Sequence, residues 1–153
     1  MKKTRLFILQ SGQTLVEAIV VIGMVMLLVT GLISGTTASL KSSQSGKARS
    51  DATKSAQDGM EIIRLIRDNN WTTVTSHANG LTYCLESDGT IIGGSCDGNI
   101  KTVDTKLTRT VVFTWLPDNI NPNTTIDVHV TVSYQEGEST KTVSLDTYLT
   151  QWK

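Results

Sequence analysis

The sequence predicts an α+β fold in which the C-terminal half of one long N-terminal helix packs against an antiparallel β-sheet. Three observations predict it. No Asp, Glu, Lys or Arg occurs from Ala18 to Leu40, so the chain opens on an uncharged, largely apolar run. Apolar or small residues then recur at Ala48, Ala52, Ala56, Met60, Ile63 and Ile66, the spacing of a helix that buries one face. Downstream the period falls to two: Ile126, Val128, Val130, Val132 and Tyr134 alternate with Asp127, His129, Thr131 and Ser133, as in a half-buried strand.

The first of these segments, Leu15 to Ile33, is dominated by Val, Ile, Leu and Met. A helix needs about 20 such residues to cross a hydrocarbon core of roughly 30 Å, and this run suffices. Lys2, Lys3 and Arg5 precede it. Positive flanks stay in the cytoplasm, so the remainder of the chain is expected to face outward. The 153 residues carry 14 Lys+Arg and 14 Asp+Glu. Without those three cations, 11 basic residues face 14 acidic ones, a net −3 for residues 13–153. No basic nucleic-acid surface is indicated.

A secretory signal places its cleavage site after the apolar region, at small residues, and discards that region. Here Ser11 and Gly12 stand before it. Cleavage there removes a short basic leader and leaves the apolar helix on a chain that begins at Gln13. SG followed by QTLVEAIVVIGMV resembles the prepilin-type processing site of type IV pilins and pseudopilins, with Gly12, Thr14, Leu15, Val16 and Glu17 in register. IRDNNW and the terminal LDTYLTQW resemble segments of the same family. The resemblance implies cutting between Gly12 and Gln13 by a membrane prepilin peptidase on the cytoplasmic side, then methylation of the new amino terminus. It departs at Gln13, where many members carry phenylalanine, and an N-terminal glutamine can instead cyclise to a neutral lactam.

The resemblance implies a pilin-like fold with a leader at 1–12, a transmembrane and filament-core helix at 13–34, the second half of the long helix at 35–71 and a β-sheet domain at 72–153. It implies a structural subunit of a type IV pilus-like extracellular filament, held first in the cytoplasmic membrane as a single-pass protein and then packed with itself or other pilins. In that setting Glu17 acts in assembly. A minor pilin or pseudopilin of a secretion or DNA-uptake system shares the processing chemistry. A membrane-tethered binding module is the alternative from another class, and its mature form would keep residues 1–12.

A helix continuous from Gln13 to about Asp68 is about 80 Å long. Its first half is expected to protrude from a domain of this size. Gly31, Gly35 and Gly46 lie in it, and each glycine costs about 1 kcal/mol relative to alanine, so bending or local melting is expected between Gly31 and Gly46. Asn69 and Asn70 are expected to end the helix. LTRTVVFTWL, TTIDVHVTVSYQ and TKTVSLDTYL predict a three-stranded antiparallel meander joined through PDNINPN and QEGES. LTYCLE and TIIGG flank Ser87, Asp88 and Gly89 and predict a less regular hairpin.

Cys84 and Cys96 both fall in the outward part, where a disulfide persists. They are either bridged, closing a loop worth roughly 3 kcal/mol by chain entropy, or two small semi-buried thiols. With two distant histidines they show no zinc-ligand spacing. Asp88, Asp97, Asn99 and Asp104 offer oxygen ligands of the kind calcium takes, but Asp-Gly turns account for Asp88 and Asp97. No cofactor and no metal site is therefore expected. GTIIGGSCDGN lacks the lysine and following helix of a phosphate loop. His77 and His129 read as surface histidines with no nucleophile in view. No catalytic residue, and hence no enzyme, is expected.

Overall fold

The computed structural model describes residues 11–94, 96, 100–101, 106–116 and 124–151. Residues 1–10 of the leader, the PDNINPN loop, Asp97, Asn99, Asp104 and Trp152 lie outside them. The fold is α+β, with one long N-terminal helix and an antiparallel sheet. Helix α1 spans Ser11–Asn69, α2 spans Trp71–Ser76, and six strands follow: β1 Thr82–Leu85, β2 Ile91–Gly93, β3 Ile100–Lys101, β4 Lys106–Trp115, β5 Thr125–Glu136 and β6 Ser139–Thr150. By their contacts, Met1–Gln44 and Ser45–Lys153 form two compact units.

Helix α1 corrects one expectation. No melting occurs between Gly31 and Gly46, for the helix runs through all three glycines without a break. Propagation adds one hydrogen bond per residue fixed, and isolated glycines of about 1 kcal/mol each do not offset it over 59 residues. The Ser and Thr side chains also work within the helix. Thr30 Oγ1 donates to Met26 O at 2.7 Å, Ser34 Oγ to Thr30 O at 2.9 Å and Thr37 Oγ1 to Ile33 O at 2.9 Å, so these hydroxyls do not compete for the ladder from outside.

The end of α1 falls where the asparagines predict it. Asn70 N–H still donates to Ile66 O at 2.8 Å, yet its backbone is extended, at φ −156°. Its side chain accepts from Thr72 N at 3.0 Å and so caps α2. This one asparagine closes one helix and opens the next. Helix α2 has only 6 residues, too few to show a hydrophobic period, and the sequence does not announce it.

In the second unit the helix and the sheet make two layers. Strand order is β2-β1-β4-β5-β6, with β3 paired to β4, and every pairing is antiparallel. The meander β4-β5-β6 is as predicted, in register from Leu107↔Tyr134 to Trp115↔Ile126 and from Thr125↔Thr150 to Glu136↔Ser139. The β1-β2 hairpin also forms. Its turn needs glycine, since Gly89 has φ +90°, and it lies on α1: a β-carbon at Gly89 would stand 3.4 Å from Ile62 Cγ2.

The predicted helical stripe is the core. Ala52, Ala56, Met60 and Ile63 are buried, and the inward set of β5 from Ile126 to Tyr134 is buried with them. Met60 and Ile63 pack with Phe113, Val111, Val128 and Leu149, while the small Ala52 and Ala56 meet Leu107, Val132 and Tyr134. Alanines at that end leave room for the larger residues of the sheet. At about 25 cal/mol per Å² of apolar area removed from water, such burial is the main favourable term.

Candidate functional site: the processing and assembly segment

Gly12, Gln13 and Glu17 all lie on α1. Gln13 and Glu17 are four residues apart, about 6 Å along the axis and on one face of the helix. Glu17 is exposed, as are its neighbours. Every large apolar side chain from Leu15 to Ile33 is between 48% and 77% exposed, on all sides of the helix. An apolar surface that goes right round a helix belongs in lipid or in a helix bundle rather than in water. The segment is long and apolar enough to cross a membrane. The hydroxyls of Thr30 within it and of Ser34, Thr36 and Thr37 just beyond it bond back to carbonyls one turn earlier, which satisfies them for a medium that offers no water.

Across the second unit the structure joins the two cysteines. Cys84 and Cys96 form a disulfide with sulfurs 2.01 Å apart, closing a 12-residue separation around the β1-β2 hairpin. Asp88 is a turn residue: its Oδ1 accepts from Thr90 N at 2.9 Å, and that bond holds the carboxyl below its usual value. Among the described residues no three acidic, histidine or cysteine side chains gather in a metal-binding group.

The histidines differ from one another. His129 is exposed, as expected, and its Nδ1 pairs with Asp146 across β5 and β6. His77 is not a surface histidine. It is half-buried, its Nδ1 donates to Thr73 O at 2.7 Å, and its ring stands edge-on to Tyr83 with centroids 4.8 Å apart.

Arg109 went unremarked in the sequence although its position is legible there. Period two through Leu107, Arg109, Val111 and Phe113 puts all four on the inward face. Arg109 is 2% exposed, and its guanidinium donates to Leu85 O at 3.1 Å, Ser55 O at 3.0 Å and Glu86 O at 2.9 Å. It ties the β1-β2 turn to the middle of α1. Burial lowers its pKa, while Asp58 and Glu86 oppose that shift.

Comparison with protein-family models, with curated proteins and with solved structures gives no match.

Proposed function

We propose that the chain is a pilin-like structural subunit of an extracellular filament, cut after Gly12, held in the cytoplasmic membrane by the helix that begins at Gln13, and then packed with copies of itself or with related subunits. One observation carries this reading: a glycine and a glutamate five residues later open a helix whose first part, from Leu15 to Ile33, is apolar on every side and exposed. The arrangement of a long helix and an antiparallel sheet supports it.

The chemistry of Glu17 follows from the cut. An acidic side chain within a bilayer costs about 2.5 to 3.5 kcal/mol at the helix centre, and less near the interface, so it seeks a partner. Cleavage creates an amine at Gln13. Within its own chain that amine lies one turn away, where the helix N-terminus also favours negative charge. On a neighbouring subunit the same amine pairs with Glu17 and sets the stagger between helices. Because lipid provides little hydrophobic drive between apolar helices, such a polar contact can direct their register. The test is intact mass with N-terminal sequencing of the membrane or filament form: the expected chain begins at Gln13, and a chain that begins at Met1 overturns the proposal.

A further inference from the structure

We propose that the open edge of β6 docks an extended, carboxylate-bearing polypeptide segment, which adds to the sheet as a further strand and sets its acid groups against Arg49 and Lys141. Among the described residues strand β6 ends the sheet order, and it pairs with β5 along all its 12 residues without a slip. In an antiparallel pair every second residue turns its N–H and C=O away from the partner, so the outer edge of β6 presents a row of such groups. Proteins blunt long edges with proline, bulges or repeated charge. Here there is no proline or bulge, and of the charged residues Lys141 and Asp146, the second is engaged by His129. The opposite edge, β2, is only 3 residues long.

The edge has space beside it. A depression of about 500 Å³ lies between α1 and β6, lined by Ser45, Arg49, Thr53, Tyr134, Lys141 and Ser144 among others. A second, of about 240 Å³, is lined by Gln57, Met60, Arg64, Leu145 and Thr147 among others. Both lie between the same helix and strand, the first at residues 141–144 and the second at 145–147, and this succession is the trough that an added strand would face. A strand added to β6 turns alternate side chains into this trough, on the face that α1 covers. Lys141 belongs to that face, since it stands opposite the buried Tyr134.

The charge selects the occupant. Arg64 is paired with Glu61 at 2.5 Å, and Asp146 with His129, so the second depression has its charges engaged. In the first, Arg49 and Lys141 are both exposed and in no ion pair among the described residues, with Glu136 as the one carboxylate lining it. Cations outnumber carboxylates there. The hydroxyls of Ser45, Thr53 and Ser144 add donors. On the other face, residues of the added strand would extend the hydroxyl rows Thr108-Ser133-Thr142 and Thr110-Thr131-Ser144, which suits Thr and Ser.

The test uses the full chain in detergent micelles and a fluorescein-labelled peptide, acetyl-Thr-Glu-Thr-Val-Thr-Glu-Thr-amide, whose Glu residues share one face and whose Thr residues share the other. Anisotropy titration is expected to show saturable binding that weakens with salt. Two exposed charge contacts correspond to a loss of about tenfold in affinity, expected both for Arg49→Gln with Lys141→Gln and for a peptide with Lys in place of Glu. Methylating alternate backbone nitrogens of the peptide, which leaves its charges intact, is expected to abolish binding on the strand-pairing register. No binding, equal binding of the Glu and Lys peptides, or binding that survives both methylation registers would overturn the proposal. So would a Thr142→Cys cross-link between two copies in the absence of peptide, which would assign the edge to a second copy. The outcome is independent of where the N-terminus is cut.

Discussion

Gly59 and Arg109 share one space between α1 and the sheet: a β-carbon on Gly59 would stand 2.9 Å from Arg109 Cδ and 3.3 Å from Val130 Cγ1. Three main-chain carbonyls on α1 and the β1-β2 turn hold the guanidinium beyond that Cδ, so the side chain has little freedom to give way. Helix propensity alone would make Gly59→Ala stabilising by about 1 kcal/mol. Overpacking of a close contact costs about 1 to 3 kcal/mol and is expected to win. Gly59→Ala therefore lowers the urea midpoint. In an Arg109→Met background, where the tether is gone, the same change is expected to be milder by about 1 kcal/mol or more. A cycle in which the two substitutions simply add would show that they do not compete for space.

Ser55 gives a prediction of opposite sign. Its main-chain carbonyl accepts from Arg109 at 3.0 Å, but its own hydroxyl is buried and finds no partner among the described residues. Replacement by alanine keeps the carbonyl, removes an unpaired polar group and improves helix propensity. Ser55→Ala is expected to stabilise the protein by about 0.5 to 1 kcal/mol in equilibrium unfolding. A loss of stability would mean that the hydroxyl has a bound water or another partner.

These two positions show where sequence reasoning stopped. Periodicity located Ala52, Ala56, Met60 and Ile63 on the buried stripe and the alternating residues of β5 on the inward face, because burial imposes those periods directly. It did not show that the inward series of β4 contains an arginine with all its polar atoms turned to distant carbonyls, since Leu85, Glu86 and Ser55 are brought to Arg109 only by the tertiary fold. Gly59 is silent for the same reason: nothing nearby in the chain reveals what faces it. Helix α2 was missed because a six-residue helix of mostly threonine and serine has no period to read. The long apolar run that follows Glu17 was legible as a helix because its composition is local to that stretch.

The disulfide yields a stability prediction that depends on loop length. Cys84 and Cys96 are 12 residues apart. Chain entropy assigns such a loop about 3 kcal/mol through restriction of the unfolded state. The Cys84→Ser, Cys96→Ser double variant is expected to unfold at lower denaturant by about that amount, with the β1-β2 hairpin losing amide protection first. Adding a reductant to the native protein should reproduce the shift, and should leave the double variant unchanged.

Asp88 predicts an acid limb. Its carboxyl accepts from Thr90 and is held below the ordinary 3.8. A carboxyl with a lowered folded pKa adds stability at pH above its unfolded value, and this is lost as pH falls through the folded value. The difference between native protein and Asp88→Ala is therefore expected to be level from neutral pH down to about 5, to shrink below about 4, and to be small throughout because the group is fully exposed. A difference that grows on acidification would contradict the hydrogen bond as its origin.

Glu17 provides the prediction that bears most directly on the proposed filament. If the carboxylate sets the stagger between helices by meeting a neighbour's amine, its charge matters and its bulk does not. Glu17→Gln keeps the shape and the helix, and makes membrane insertion easier, so the variant is expected to be made, cut after Gly12 and held in the membrane at normal levels. Loss of one charge-assisted contact in a low-dielectric setting amounts to about 1.5 to 3 kcal/mol per subunit interface. That corresponds to a fall of about tenfold to a hundredfold in the equilibrium for adding a subunit, read as the yield of sheared surface filaments relative to the membrane pool. Glu17→Asp, which keeps the charge on a shorter arm, is expected to fall between the two. Equal filament yield from all three proteins would remove Glu17 from assembly and leave the apolar surface of α1 to set the register alone.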